Sequence, residues 1–191
     1  MKTVRGRHLI AVLGGLLIAP STSFAETWNI DPVHSAVVFK TLHFGAGYTY
    51  GMFRKFSGKI EAAKPIGKSS VSIEIDAESV YTGEQKRDKH LRSPDFLNVK
   101  QFPKITFVSS AVRGSVKNIT VSGKLTLHGT TKDVTVRLTK VGEGKDPWGN
   151  QRIGFEGTLK IKRTEYGMKK MIGPAADEIQ LILAFEAIKA K

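Results

Sequence analysis

Apolar and polar residues alternate along most of this chain with a period of two. The alternation is clearest near residues 71–76, 119–127, 134–139, 152–162 and 179–185. Each segment therefore has one apolar face and one polar face, which is typical of strands in an antiparallel sheet. Similar segments lie near residues 28–41, 49–62 and 104–113, which brings the number of predicted strands to eight.

Eight long antiparallel strands in one domain favour a closed β-barrel, because closure removes the exposed sheet edges. A sandwich of two sheets is the alternative. The eleven residues 152–162 would extend about 36 Å at ~3.3 Å per residue, a length that favours an elongated barrel. A barrel of eight strands is about wide enough inside for one small ligand.

Two connections between the predicted strands are too long for hairpins. They cover about residues 78–103 and 163–177, and long connections in compact domains are usually functional or disordered. Residues 83–92 are compatible with a short helix, and Ser93-Pro94-Asp95 then forms a turn signal. We expect both connections to cover one mouth of the barrel, and we call them together the lid.

The N-terminus has the features of a secretory signal peptide. Three basic residues precede an apolar run over residues 9–19, which is too short to span a bilayer, and small residues follow at 23–25. We therefore predict a cleaved signal peptide over residues 1–25, a single domain over residues 26–191, and export to the periplasm. The chain has no cysteine, so the exported domain depends on packing rather than disulfides.

The chain is strongly basic, with a net charge of +13. Without the three basic residues of the predicted signal, 27 basic and 17 acidic residues remain, a net charge of +10. For an exported protein this charge indicates peripheral contact with an anionic membrane surface rather than with nucleic acid. A basic surface without any such partner is the alternative.

Candidate catalytic and metal-binding residues are few. The four histidines after residue 25 show no H-x-x-x-H pair, and the chain has no G-x-S-x-G motif. We therefore predict no catalytic residue, no metal site and no cofactor. The polar cluster Arg87, Asp88, His90 and Arg92 is interpreted as a network that braces the predicted lid. It is alternatively a site for a ligand head group.

The inward apolar residues are compatible with a filled barrel or with a hollow one. Gly123 and Gly157 fall at inward positions of two predicted strands. They favour spare volume inside the barrel, or else mark bends in the strands.

Several motifs of the chain resemble a known family. These motifs are WNIDPVHS at 28–35, GMF at 51–53, RDKHLRS at 87–93, FPKITF at 102–107, GKLTLHG at 123–129 and RTEYGM at 163–168. In this order they resemble the YceI-like family of periplasmic polyisoprenoid-binding proteins. The resemblance covers essentially all of residues 26–191.

The resemblance implies an all-β fold, a lipocalin-like extended eight-stranded antiparallel β-barrel with a short helix in the lid connection. It also implies binding of an amphiphilic isoprenoid-type lipid in a hydrophobic cavity, without catalysis. We predict that the lipid tail contacts inward residues of this barrel and that its head group lies near the lid. The predicted cavity residues are Phe39, Ile75, Phe107, Leu125, Leu138, Phe155, Leu159 and Leu183.

Two other functions stay open from the sequence. One is an enzyme acting on a hydrophobic substrate, with His90 and Asp88 as an acid-base pair. The other is a stress-related module that contacts membranes or partners through its basic surface. The oligomeric state is also open, with a homodimer among the options.

Overall fold

The computed structural model describes residues 25–115 and 117–191. The predicted signal peptide lies outside these residues, apart from Ala25. The strands are β1 Glu26–Ile30, β2 Ala36–His43, β3 Gly47–Phe53, β4 Phe56–Ala62, β5 Ser70–Asp76, β6 Val80–Tyr81, β7 Lys104–Gly114, β8 Asn118–Leu127, β9 Thr130–Lys145, β10 Gln151–Lys162 and β11 Ala175–Lys189. One α-helix, α1 Gln85–Arg92, is present among the described residues, with 3-10 turns at Ile66–Lys68, Ala77–Ser79 and Arg163–Tyr166.

All strands belong to one antiparallel sheet that closes on itself. Eight of them form a ring in the order β1-β4-β5-β7-β8-β9-β10-β11, and β11 pairs back with β1. Strands β2, β3 and β6 continue the sheet from β11 on the other side. The predicted eight-stranded antiparallel barrel is therefore confirmed. No helix in the described part of the chain combines the length and hydropathy that a bilayer crossing needs.

Two of the predicted strands, 28–41 and 49–62, are each broken into two. Segment 28–41 separates into β1 and β2 because Pro32 has no N–H to donate and the Asp31 carboxylate accepts the Val33 N–H at 3.0 Å. Strand β11 compensates for the break, because its end pairs with β1 and its middle pairs with β2.

The inward glycines are covered by neighbouring side chains. A Cβ atom on Gly123 would lie 2.7 Å from the Phe107 ring, and one on Gly157 would lie 2.7 Å from Leu138 Cδ2. These glycines allow Phe107 and Leu138 to occupy the space that a side chain at either position would fill. The interpretation that they leave spare volume was therefore wrong at these two positions.

The helix α1 begins and ends where its sequence provides local signals. The Glu84 carboxylate accepts the Lys86 N–H at 2.9 Å at the N-terminus. Basic residues fill the last turn, where they complement the helix dipole, and Ser93-Pro94 then ends the helix. The predicted short helix over 83–92 is thus confirmed; it begins two residues later and ends at the same residue.

The two long connections meet at one end of the barrel, at the turn between β8 and β9. His128 in this turn donates from Nδ1 to the Tyr166 carbonyl at 2.9 Å, and its ring packs edge-on against Phe102 at 4.7 Å. Gly129 has a φ of +72°, and a Cβ there would lie 2.4 Å from Phe102. Only glycine fits at position 129. Through His128 the turn contacts both connections and joins them into one lid.

Candidate functional site

The interior of the barrel contains an elongated apolar cavity of about 470 Å³. This volume lies within the range of ligand pockets in proteins, about 300–1,000 Å³. All eight residues predicted to line a cavity face it: Phe39, Ile75, Phe107, Leu125, Leu138, Phe155, Leu159 and Leu183. Period-two alternation identifies the inward face correctly, and a contact of these residues with a ligand stays a prediction.

The packing around the cavity differs between its walls. Val121 and Leu127 on β8 are buried in the core, with 2% and 6% of their surface exposed. Phe107, Phe155 and Leu159 also point inward but keep part of their surface accessible. Because these side chains face the cavity, part of this accessible area faces internal space rather than bulk water. The barrel is therefore hollow along these strands.

The lid closes one end of the cavity with apolar side chains. Leu91 comes from α1, Phe96 and Leu97 follow the helix, and Met168 comes from the second connection. Met168 is buried, and Leu91 and Leu97 pack against the main core cluster. The lid thus meets the cavity mainly with apolar residues.

The four predicted polar lid residues are not among those that line the cavity. Asp88 is buried and accepts the N–H and the hydroxyl of Thr82 at 2.8 and 2.6 Å. Arg87 donates to the same Thr82, at its hydroxyl and its carbonyl. Arg92 donates to the carbonyls of Glu78 and Val80 at 2.8 and 2.7 Å. Arg87, Asp88 and Arg92 therefore brace α1 against the preceding segment, and their role at a head group stays a prediction.

His90 and Asp88 do not form the acid-base pair of the enzyme hypothesis. His90 Nε2 instead lies 2.9 Å from Asp95 Oδ2, and its ring packs edge-on against Phe96 at 4.9 Å. The hydrogen bond from His90 lowers the pKa of Asp95. Because Asp88 accepts hydrogen bonds from Thr82 instead, the predicted pairing of His90 with Asp88 is wrong.

Arg163 is the charged residue that lines the cavity at the lid end. It is 3% exposed, and its guanidinium donates to the carbonyls of Met168, Lys170, Ala175 and Ala176 at 2.6–3.1 Å. Burial lowers its pKa, although a guanidinium stays protonated at neutral pH. These four bonds fix the second connection in place.

Three polar residues line the cavity at its opposite end. Lys64 and Ser69 flank the 3-10 turn between β4 and β5, and Lys140 comes from β9. Lys140 was not predicted because the predicted β9 segment ends at Thr139. Lys64 and Ser69 lie between the predicted strands 49–62 and 71–76, where alternation assigns no inward face. The available signal was the inward phase of Val136 and Leu138, which continues to Lys140.

A cluster of carboxylates and one histidine lies where β1 ends, on the barrel wall. Ligand-type atoms of Asp31, His34 and Glu186 lie within 4.8 Å of one another. Arg152 donates to both carboxylates, at 2.8 Å for Asp31. Burial raises the pKa of Asp31, but hydrogen bonds from His34 and Arg152 outweigh it and lower this pKa to about 2. The Arg152 guanidinium therefore offsets the negative charge of Asp31 and Glu186 and links the end of β1 to β10 and β11.

Comparison with known proteins gives consistent matches over nearly the whole chain. A family model described as a YceI-like domain matches residues 28–187. A UPF0312 protein of Azotobacter vinelandii is 40% identical over 182 residues, 93% of this chain and 94% of the relative. A UPF0312 protein of Pseudomonas aeruginosa is 38% identical over 180 residues, 93% of this chain and 94% of the relative.

Solved structures with the same architecture are also found. BcnA of Burkholderia cenocepacia superposes with a TM-score of 0.75 at 27% identity, covering 82% of this chain and 98% of that chain. A Campylobacter jejuni YCEI protein gives a TM-score of 0.67 at 28% identity, with 75% and 86% covered. A polyisoprenoid binding domain of Saccharophagus degradans gives a TM-score of 0.64 at 17% identity, with 85% and 98% covered, and shows the shared fold.

Proposed function

This chain belongs to the YceI-like domain family, and we propose that it binds an amphiphilic isoprenoid-type lipid in its barrel and stores or transports it in the periplasm. The observation that carries the proposal is the apolar cavity of about 470 Å³ inside a closed barrel. Such a cavity suits a long hydrocarbon chain, because almost every lining side chain is aliphatic or phenylalanine. A domain of the same fold is described as polyisoprenoid binding.

The physical chemistry of the cavity is sufficient for useful affinity without catalytic groups. Burial of each CH₂ group contributes about 0.8 kcal/mol. Ten buried chain carbons would therefore contribute roughly 8 kcal/mol before ordering costs, which corresponds to about micromolar affinity at best. A lipid carrier in this affinity range can both take up and release its cargo.

The test is direct identification of the bound molecule, followed by titration. Protein purified without detergent is extracted into organic solvent and the extract is identified by mass spectrometry. We expect a prenyl lipid in the extract, and we expect delipidated protein to bind an added prenyl alcohol. An extract without lipid, together with no binding of added prenyl chains, would refute the proposal.

The chain offers a built-in reporter for the titration. It has two tryptophans: Trp148, which is 81% exposed, and Trp28, which is buried. Trp28 packs in a core cluster against Ile60 and Phe185, which line the cavity. In a Trp148→Phe variant, fluorescence comes from Trp28 alone, so occupation of the cavity should shift or quench it.

We also propose export through the predicted signal peptide and peripheral contact with anionic membranes. The support is the N-terminal pattern of residues 1–25 and the excess of basic residues in the remainder of the chain. Vesicles with anionic lipid should bind the protein at low salt and release it as salt increases. Binding that ignores both lipid charge and salt would contradict the electrostatic part.

A further inference from the structure

The polar residues that line the cavity fall into two groups at opposite ends. Arg163 lies under the lid, and Lys64, Ser69 and Lys140 lie at the other end. Four backbone carbonyls already occupy the Arg163 guanidinium. A polar group of a bound amphiphile therefore has better access to Lys140 at the far end, whose ion-pair partner Glu143 is an exposed side chain.

Period-two alternation places Lys140 on the inner wall of the barrel. Lys140 pairs with Phe155 in the same register that pairs Leu138 with Gly157. Side chains of directly paired residues lie on the same face of a sheet, and Phe155 and Leu138 both face the cavity. A β-bulge at Val141 follows, so Lys140 is the last residue of β9 in this register.

The surroundings of the Lys140 ammonium differ from those of an ordinary surface lysine. Its side chain is 17% exposed, while that of its ion-pair partner Glu143, at 2.6 Å, is 67% exposed. The positive charge thus lies mostly inside the rim and its partner lies mostly in water. Because the Glu143 carboxylate is already largely hydrated, it is the partner that another anion can displace from Lys140.

We propose that Lys140 binds the head group of the ligand, that this head group carries an anionic oxygen as in a prenyl phosphate, and that the tail points towards the lid. The inference rests on the proposed lipid-binding function. It places the head group at the end opposite α1, whereas the sequence predicted a head group near the lid. Lys64 adds a second positive charge at the same end, while the Ser69 hydroxyl is already bonded to the Ala63 backbone.

Two ligands that differ only in the head group test this inference. A prenyl monophosphate and the prenyl alcohol of equal chain length are titrated into wild type and Lys140→Gln protein. We expect the variant to bind the phosphate at least about tenfold more weakly, because the charge-assisted hydrogen bond from the ammonium to the phosphate is lost. Affinity for the alcohol should not change.

Two further variants sharpen the comparison. Lys160→Gln is the matched control, because Lys160 also forms an ion pair, with Glu178 at 2.8 Å, but it is exposed on the outer face of β10. It should bind both ligands like the wild type. Glu143→Gln removes the competing carboxylate and should strengthen phosphate binding. Thermal unfolding of each variant verifies that the fold is intact.

The outcomes separate this inference from the proposed function. If the wild type binds both ligands and Lys140→Gln weakens both equally, or weakens neither, the head-group site is wrong while lipid binding stands. If Lys160→Gln has the same effect as Lys140→Gln, the effect is one of overall charge and the site is again wrong. If the wild type binds neither ligand, both proposals fail.

Discussion

Substitution of Leu159 by tryptophan should block lipid binding without unfolding the protein. Leu159 lies on β10, faces the cavity and is only partly buried. An indole at this position would extend into the internal space of about 470 Å³ rather than into close-packed core. The cost of overpacking, usually about 1–3 kcal/mol in a filled core, should therefore stay near or below the lower limit.

The loss of affinity follows from the space that the indole occupies. Relative to leucine, the larger side chain displaces roughly four chain carbons, which at ~0.8 kcal/mol each is about 3 kcal/mol. This free energy corresponds to a dissociation constant roughly 100-fold higher. The matched control is Thr158→Trp, because Thr158 is the adjacent residue on β10 and lies exposed on the outer face.

The assay is titration of delipidated protein with a prenyl alcohol, read by calorimetry, with urea unfolding as the stability measurement. Leu159→Trp should show weak or no binding with a free energy of unfolding close to wild type, and Thr158→Trp should bind normally. Wild-type affinity in the Leu159→Trp protein would refute the cavity as the binding site. So would an equal loss of affinity in both variants.

Three further predictions concern stability. Gly157→Ala should destabilise the protein by about 1–3 kcal/mol in urea unfolding, because its Cβ would lie 2.4 Å from a backbone carbonyl. Gly154→Ala should be close to neutral, because no heavy atom lies nearer than 3.6 Å to its Cβ. Equal effects of the two substitutions would contradict this explanation. Arg163→Gln should cost about 3 kcal/mol or more, since it leaves several buried carbonyls without donors; an unchanged urea midpoint would show that these bonds contribute nothing. Because the folded-state pKa of Asp31 is about 2 against an ordinary 3.8, its contribution is present above about pH 4 and is lost as the pH falls towards 2, so Arg152→Gln should move acid unfolding to higher pH, and an unmoved midpoint would refute this coupling.

The lid shows how far sequence reasoning reached and where it stopped. The short helix predicted over residues 83–92 is present as α1. The pairing of those charges was not predictable, because Asp88 binds Thr82, outside the helix, rather than Arg92 four residues along it. A hydrogen bond between segments depends on how the segments meet in space.

The rim of the barrel shows the same limit in another form. The inward phase of β9 continues in the sequence to Lys140, but a lysine in this phase suggests the end of a strand. In the structure β9 continues to Lys145, and Lys140 lines the cavity. The bulge that follows at Val141 depends on the register between β9 and β10, and neither strand encodes that register alone.

The sequence by itself determined which residues point inward and that the strands are antiparallel. It could do so because the alternation of side chains is a local property of an extended backbone. Only the tertiary structure decided that β11 closes on β1, that the barrel is hollow, and that Arg87, Asp88 and Arg92 brace the lid and do not line the cavity. Closure and internal volume depend on the twist, stagger and packing of all strands together, so no single segment of the chain contains them.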